Sequence, residues 1–422
     1  MVVHEEIKME YRISNEEKLY LRELAKKQIE YAKLPVMEER ARNWVNLNTG
    51  KPFIPPIIVE TWTFDPYILP DSIFKCNNPA ARNIEYVLLK NIREHELIND
   101  DKVMPGVFHV DYLVDIDYFG VPVDEIHARD QYGDEIAFVY NHPINDLEKE
   151  FYKLKSVSIK NNKPETEKLV SFTHDVLGDI IPVKMRGQPP IVGLTWHAVQ
   201  LMGMEALFLA IYDQPEAVHK LMRYLTDNLK SVLQFLETEG LLTHNTGNND
   251  IGLGSYGFLG GPPKNGNATL KEVWAWVEAE ETSPISPEMF KEFFLPYVKE
   301  VAGLIGFVYY GCCEPLQNVW PAIIKAIPNI KKVSISPFCD EQIMGDYLRG
   351  TNVVFSRKPC SNYLGVKGCW DEEQWRNHIR QTARAARGCQ YEIIMRDLYR
   401  IDSLESVKNA VEIAREEILN SL

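Results

Sequence analysis

Short apolar runs alternate with amphipathic stretches along most of this chain after residue 50. The runs are rich in β-branched and aromatic residues and predict strands. In order they are 57–62, 107–114, 182–185, 241–244, 273–277, Phe307–Tyr310, 332–335, 352–355 and Tyr391–Met395. Helical spacing of apolar positions separates most of them, and this alternation without an internal linker predicts a parallel α/β fold. The strand number favours a single (β/α)8 TIM barrel over residues 51–422, with one extra strand.

Two helical stretches stand out in the same pattern. Residues 1–50 are charged and helical, and Ser14 followed by Glu17 fits a capping box. An apolar face then follows, made of Leu21, Leu24, Ala25 and Ile29. We therefore predict an N-terminal helical segment, 1–50, packed against the barrel. The tract 200–212 (QLMGMEALFLAIY) is apolar nearly all round, which predicts one buried helix.

Composition narrows the class of protein. Hydrophobic residues make up 45% and charged residues 25% of the 422 residues, which is enough apolar material for a large core. The net charge is −14 and there is no basic stripe, which argues against nucleic-acid partners. No leader-like segment and no run of 18 apolar residues is found, so we expect a cytoplasmic protein without membrane contact. Its seven cysteines should then be reduced, and clustered cysteines favour a metal or catalysis over disulfides.

The strand Phe307–Tyr310 runs directly into a chemically rich sequence, Gly311, Cys312, Cys313 and Glu314. Carboxyl-terminal strand ends face the mouth of an α/β barrel, where such enzymes carry their active sites. Zinc accepts thiolate and carboxylate ligands, so these three side chains are candidate metal ligands. Because successive side chains of a strand point to opposite faces, only one of the two thiols should face the mouth. The alternative is that both cysteines are small buried apolar residues.

Cys360 is a further candidate ligand, since it follows the strand 352–355 on its carboxyl-terminal side. Glu278, Glu280 and Glu281 follow the strand 273–277 and precede a helix N-cap. Clustered carboxylates can bind zinc, or share a proton and act as acid or base. Glu280 and Glu281 are the predicted catalytic residues of this group. A solvated acidic loop is the alternative.

Substrate contacts are expected from loops and aromatic residues at strand ends. The loop 244–250 (HNTGNND) follows a strand, and its His244 and Asn249 are candidates for binding substrate. Trp62 and Tyr310 are aromatic candidates for the wall of such a pocket. An ordinary Asn- and Gly-rich turn, and core aromatics, are the alternatives.

Longer segments resemble a known superfamily. TWHAVQLMGMEALFLAIYDQPEAVHKLMRYLTDN, SPISPEMFKEFFLPYVKEV, VSISPFCD and VVFSRKPCSNYL occur in the order found in the uroporphyrinogen decarboxylase superfamily. The resemblance covers about residues 52–417. It implies a single TIM barrel with its site at the carboxyl-terminal mouth. The arginine-rich motif that holds porphyrinogen carboxylates in the decarboxylases is matched here by PFIPPIIVETWTFDPYILPD, which contains no arginine.

The cobamide-dependent methyltransferase branch of the superfamily resembles the chain better. Its members bind zinc through an H-x-C at a strand end and a later cysteine. The strand matches at VYYGCCE, with Cys312 or Cys313 at the cysteine position and no histidine two residues before either. Cys360 or Cys389 corresponds to the later cysteine, and His244 is the candidate imidazole. The resemblance implies zinc-assisted demethylation of a small methoxy or methylamine substrate onto a separate corrinoid protein. The oligomeric state stays open, with a homodimer as one alternative.

Two other functions remain open at this point. One is metal-independent decarboxylation of a small acid, for which Arg186, Arg357 and Arg396 are the strand-end arginines able to bind a carboxylate. The other is a non-catalytic protein that binds a corrinoid or a methylated ligand. Metal content separates the zinc-dependent transferase from both.

Overall fold

The computed structural model describes residues 11–129, 135–261 and 266–421, with the side chains of 135–137 outside the description. The first ten residues of the predicted N-terminal segment therefore lie outside the described residues. In the described ranges the α-helices are α1 (Asn15–Ala32), α2 (Pro35–Thr49), α3 (Asp65–Ile68), α4 (Pro79–Leu97), α5 (Leu147–Glu150), α6 (Lys163–Leu177), α7 (Leu194–Met202), α8 (Met204–Asp213), α9 (Pro215–Thr238), α10 (Pro287–Phe293), α11 (Leu295–Ala302), α12 (Trp320–Ala326), α13 (Glu341–Leu348), α14 (Glu372–Ala385) and α15 (Leu404–Leu419).

Between the helices lie thirteen described strands. They are β1 (Ile57–Val59), β2 (Phe108–Asp111), β3 (Val114–Asp117), β4 (Asp124–Arg129), β5 (Glu135–Asn141), β6 (Ser158–Asn161), β7 (Val183–Arg186), β8 (Ile191–Val192), β9 (Trp274–Val277), β10 (Phe307–Tyr310), β11 (Ile330–Ile335), β12 (Val354–Arg357) and β13 (Tyr391–Met395). Seven of them form one parallel sheet in the order β1-β13-β12-β11-β10-β9-β8. The predicted α/β class is thereby confirmed.

Closure into a single barrel is not confirmed. In the described ranges β2 and β7 form a parallel pair of their own, while β3 with β6 and β4 with β5 form antiparallel pairs. The predicted strand at 241–244 is absent as a ladder, and Thr243 makes only an isolated antiparallel bridge to Asn267. The domain boundary near residue 50 stays a prediction. The capping box at Ser14 is formed, and Leu21 and Ala25 of α1 pack in the core cluster of α4 and α6.

The parallel sheet has two differently filled faces. On one face Val308 and Tyr310 of β10 join the main apolar core, which the surrounding helices cover. On the other face Tyr309 packs with Trp274, Ile251 and residues near them in a smaller cluster. The loop that follows residue 245 supplies Ile251, so that loop covers the second face. Alternation along the strands thus separates an apolar layer from a face that carries polar groups.

One irregularity sets which residues reach that second face. The pairing of β10 with β11 shifts after Val308, which pairs with Ile330, so that Tyr309 pairs with Lys332. Lys331 is the extra residue, as in a β-bulge. Because paired residues of neighbouring strands share a face, Lys332 lies on the same side of the sheet as Tyr309.

The apolar tract 200–212 departs from the prediction of one buried helix. It is broken at Gly203, whose φ of +76° ends α7 before α8 begins. Leu209 and Tyr212 of α8 are 56% and 70% exposed. Among the described residues no single helix has the length and apolarity to cross a membrane, and α7 with α8 meets that test only as a pair bent by 96°.

Candidate functional site

The turn after β10 is shaped by a glycine. Gly311 has φ of +93°, a conformation that glycine adopts without a steric penalty. Its N–H donates to the carbonyl of Val277 at 2.8 Å, and its carbonyl accepts from the indole N–H of Trp276 at 2.9 Å. Both partners belong to β9, so the neighbouring strand fixes the start of the turn.

The backbone of Cys312 and Cys313, which follow Gly311, makes hydrogen bonds with three side chains. The N–H of Cys312 donates to Oε2 of Glu314 at 2.6 Å. The hydroxyl of Ser334, in β11, donates to the carbonyl of Cys312 at 2.8 Å. The hydroxyl of Ser336, just after β11, donates to the carbonyl of Cys313 at 3.0 Å. The thiols therefore project from a backbone with little freedom to move.

Both thiols lie on the same side of this turn, together with a carboxylate. The Sγ atoms of Cys312 and Cys313 are 3.8 Å apart, and the ligand atoms of Glu280, Cys312 and Cys313 all lie within 4.8 Å of one another. The strand ends at Tyr310, before the cysteines, so the alternation of strand faces does not separate them. The prediction that only one thiol faces the site is therefore wrong in its premise. Glu280 and Cys313 are half-buried, and Cys312 is the most buried of the three.

The geometry of these three groups fits zinc. A tetrahedral zinc ion with Zn–S bonds of about 2.3 Å holds two sulfur ligands about 3.8 Å apart. The sulfur separation in the structure is 3.8 Å. Two thiolates and one carboxylate leave the fourth position open, as in catalytic zinc sites. Glu280, Cys312 and Cys313 are therefore the residues able to hold such an ion.

Three further glutamates surround this group and crowd it with negative charge. Burial, and then Glu281 and Glu314, raise the pKa of Glu278 well above its usual value. Burial raises the pKa of Glu314 to about 7, although backbone N–H groups oppose the shift. Burial also raises the pKa of Glu281, whose carboxylate accepts from the hydroxyl of Thr195 at 2.6 Å. A divalent cation would relieve this repulsion, which is a second reason why the site suits a metal.

Two of the predicted metal ligands, Glu314 and Cys360, are not part of the three-residue group. Both carboxylate oxygens of Glu314 face backbone N–H groups, those of Ala279 at 3.2 Å and Cys312 at 2.6 Å. Its side chain thus ties the end of β9 to the cysteine turn. Cys360 is half-buried at the start of the 3-10 helix Ser361–Tyr363 and is not part of the three-residue group.

The predicted substrate-binding residues are not brought together as a set. Trp62 is 55% exposed and meets the ring of Tyr399 edge-on at 6.3 Å. Tyr310 is fully buried in the main core. Asn249 closes its loop through its backbone, with its carbonyl accepting from Gly257 at 3.0 Å. His244 is half-buried, and its Nδ1 has no hydrogen-bond partner in the described ranges.

A buried polar network below the site was missed from the sequence. Nζ of Lys332 lies 3.0 Å from Oε2 of Glu392, and both side chains are 0% exposed. Oε1 of Glu392 accepts from Ser356 at 2.6 Å, and the Ser356 hydroxyl is 2.8 Å from that of Tyr309. Lys358 donates to the hydroxyls of both Ser356 and Tyr309. The signal was present as polar residues two positions apart, Lys332 and Ser334 in β11 and Ser356 and Lys358 at the end of β12.

Ionic groups of the strand ends are already paired. Arg396 lies 3.0 Å from Glu60 and 3.2 Å from Asp397. Arg186 donates to Asp111 at 2.7 and 3.1 Å, and Arg357 lies 2.6 Å from Glu341. Each arginine considered for binding a substrate carboxylate thus faces a protein carboxylate.

A cavity of about 180 Å³ lies beside this region. It is lined by α2, α4, β2 and the loop after residue 245, and its charged lining residues include Arg40, Glu94, Lys102, Arg186 and Asp250. The charges are mixed, so the cavity suits a small polar molecule more than an apolar one.

No protein-family model matches the chain, and no curated protein matches it. Among solved structures, a methyltransferase from Methanosarcina mazei is similar with a TM-score of 0.48 and 12% sequence identity. The match covers 90% of this chain and 99% of that chain. At this level the similarity carries no information about the reaction.

Proposed function

We propose that this protein is a zinc-assisted methyltransferase that removes a methyl group from a small methoxy or methylamine compound and passes it to a corrinoid protein. The observation that carries the proposal is the convergence of Glu280, Cys312 and Cys313 at adjacent ends of β9 and β10. The resemblance of the strand VYYGCCE to the zinc-binding strand of the cobamide-dependent methyltransferases supplies the class of reaction. The single TIM barrel belongs to the same proposal.

Glu280, Cys312 and Cys313 would hold the zinc ion, and Glu314 would position them. When bound, zinc supplies a Lewis acid for the ether oxygen or amine nitrogen of the methyl donor. Three protein ligands would leave the ion one position for the donor atom of the methyl compound. The methyl group would then leave to a corrinoid that the partner protein carries.

The remaining carboxylates have a different task. Loss of a methyl group leaves an oxygen or nitrogen that needs a proton. Glu281 is the proposed acid, because Thr195 holds its carboxylate at 2.6 Å and it lies next to the ligand Glu280. Trp62 and Tyr399 form an exposed aromatic pair after β1 and β13, which suits contact with substrate or partner.

Metal-independent decarboxylation is less well supported by the geometry. A carboxylate substrate needs cationic side chains that are free to bind it. Arg186, Arg357 and Arg396 each face an acidic residue within 3.0 Å. A substrate carboxylate would have to displace a protein carboxylate from one of them.

Zinc content tests the metal site directly. Protein prepared from zinc-supplied cells should hold about one zinc ion per chain, and Cys312→Ala, Cys313→Ala and Glu280→Ala should each hold much less. Cys389→Ala is the matched control, because that thiol is buried and binds the carbonyl of Gly345 instead. Less than about 0.1 zinc ion per wild-type chain would refute the metal site.

Methyl transfer tests the reaction itself. Zinc-loaded protein would be mixed with free cob(I)alamin and a panel of methoxyarenes and methylamines, and formation of methylcobalamin followed by absorbance. We expect turnover with at least one class and none with Cys312→Ala. Stoichiometric zinc without transfer to cobalamin from any methyl donor would leave a binding protein and refute the transferase.

A further inference from the structure

The cavity of about 180 Å³ contains a carboxylate that has no ion-pair partner in the described ranges. Asp250, the last residue of the loop 244–250, is exposed to this space, although it lies deep enough for burial to raise its pKa. Its Oδ1 accepts from the N–H of Gly252 at 2.7 Å, and no described group donates to its Oδ2. Because a carboxylate in such surroundings lacks compensation, it favours a cation from outside the protein.

The cations of the cavity wall that act most strongly on Asp250 are neutralised by carboxylates of their own. Nζ of Lys102 lies 2.9 Å from Oε2 of Glu94. Arg186 donates to both carboxylate oxygens of Asp111, at 2.7 and 3.1 Å. These two cations oppose the rise in the pKa of Asp250, but neither forms an ion pair with it. A ligand in the cavity therefore meets balanced pairs and one carboxylate without a partner.

Tyr256 and His109 add two uncharged groups to the same wall. Tyr256 forms an antiparallel bridge with Asp250, which places the two side chains next to each other. His109 lies in β2 between Phe108 and Val110, which pack in the core cluster of α4 and α6, so its imidazole points to the opposite side. Burial lowers the pKa of His109 to about 4, and the ring is neutral at pH 7. Within the described ranges neither the imidazole nor the Tyr256 hydroxyl has a hydrogen-bond partner.

This arrangement fits an organic cation better than a metal ion. A metal ion needs several ligand atoms around one point, and among the described residues only the proposed zinc ligands meet that condition. An ammonium group needs one carboxylate, and it gains from an aromatic ring and a hydrogen-bond acceptor beside it. Since a cavity of about 150 Å³ holds benzene, one of about 180 Å³ has room for roughly six to eight non-hydrogen atoms.

We propose that the cavity is a binding site for a small protonated amine of roughly six to eight non-hydrogen atoms. The carboxylate of Asp250 forms the ion pair with the ammonium group, and the ring of Tyr256 lies beside that group. The imidazole of His109 accepts one of its N–H groups. No zinc ligand and no methyl transfer is needed for this binding, so the inference goes beyond the proposed function and does not rest on it.

Calorimetric titration with matched pairs of compounds tests the inference. Methylammonium, piperidinium and cyclohexylammonium would be compared with methanol, tetrahydropyran and cyclohexanol, which have similar shapes and no charge, at one ionic strength. At least one amine should bind about 10-fold or more tightly than its neutral counterpart, because only the amine can pair with the carboxylate.

Variants locate the binding in the cavity. Asp250→Asn keeps an acceptor for the N–H of Gly252 and removes the charge, so the amine should bind about 10–100-fold more weakly. Tyr256→Leu removes the aromatic ring and should weaken binding by about 2–30-fold, which tests the same site if Asp250→Asn fails to fold. Asp213→Asn is the matched control, since that carboxylate is exposed at the end of α8 and should leave amine affinity unchanged.

Three results would overturn the inference. They are equal affinities for each amine and its neutral counterpart, wild-type affinity in the folded Asp250→Asn or Tyr256→Leu variant, and no binding of any amine below about 10 mM. The outcomes also separate this site from the proposed function. Zinc binding without amine binding refutes the cavity site alone, whereas amine binding by a wild-type chain that holds no zinc refutes the metal site alone. When both sites exist, Cys312→Ala should lose zinc and keep its affinity for the amine.

Discussion

Removing one partner of the buried Lys332–Glu392 pair should strongly destabilise the sheet interior. Its charged atoms lie 3.0 Å apart, and neither side chain is exposed. Glu392→Gln removes the countercharge of Lys332 and leaves a buried cation beside Ser255, Trp44 and Trp274. Removing one partner of a buried ion pair costs about 3–5 kcal/mol, because the remaining charge has lost its compensation.

That free energy converts into a measurable change of melting temperature. An unfolding entropy of about 2.1 cal/mol/K per residue gives about 0.9 kcal/mol/K for 422 residues. A loss of about 3–5 kcal/mol then lowers Tm by about 3–6 °C. Differential scanning fluorimetry and far-ultraviolet circular dichroism would both follow it.

The double variant Lys332→Met with Glu392→Gln is the control for this reasoning. It leaves no unpaired charge at the two positions, and methionine fills much of the volume of the lysine stem. We expect its Tm to lie closer to wild type than that of Glu392→Gln alone, so the two substitutions should be strongly non-additive. A wild-type Tm for Glu392→Gln, or a double variant whose loss equals the sum of the single losses, would refute the account of the pair.

Three further predictions concern the cysteine turn and a buried histidine. Gly311→Ala should destabilise the protein by about 1–2 kcal/mol and lower its zinc content, since a Cβ at φ +93° meets Leu316 at 3.0 Å. Gly368→Ala is the control: it also has a positive φ, +81°, but its Cβ would lie in open space, so zinc content should be unchanged. Glu314→Gln should weaken zinc binding by about 10–100-fold, because the side-chain amide has one oxygen and cannot accept from the N–H groups of both Ala279 and Cys312. Unchanged affinity in a zinc titration would contradict this. Burial lowers the pKa of His378 to about 3, so the unfolded chain takes up its proton near pH 6.5 and the folded chain does not. His378→Phe should therefore gain about 2 kcal/mol relative to wild type between pH 8 and pH 5, and parallel Tm curves over that range would contradict it.

The strand that leads to the cysteine turn could be predicted to the residue. Phe307–Tyr310 is a continuous apolar run bounded by Gly306 and Gly311, and the structure has a strand with those bounds. The carboxylates after β9 were expected near the same edge, because parallel neighbours end together. Glu280 indeed lies within 4.8 Å of the thiols.

The backbone conformation of single residues could not be predicted from the sequence, and it decided other parts of the site and fold. Strand periodicity assigned Cys312 and Cys313 to opposite faces, whereas the positive φ of Gly311 takes both out of the strand. Gly203 similarly divides an apolar tract that looked like one helix. Neither outcome follows from hydrophobic pattern, since both depend on a backbone angle that glycine permits but does not require.

The buried ion pair of Lys332 and Glu392 was missed for a related reason. In the run IKKVSI either lysine could face solvent, and the shift in pairing after Val308 decides that Lys332 is the buried one. Its partner Glu392 lies 60 residues further along the chain. Such long-range pairing is invisible to local periodicity, although alternating polar residues in adjacent strands indicate a polar inner face.

The same shift in pairing has a consequence for how the protein is assembled. It places Ser334 and the residues beyond it opposite the cysteine turn, while Trp276 holds that turn from the other side. The thiols and Glu280 therefore reach their final separation only after three strands, β9, β10 and β11, have docked in register. During refolding, high-affinity uptake of zinc would accordingly lag behind helix formation and mark the time at which this part of the sheet is complete.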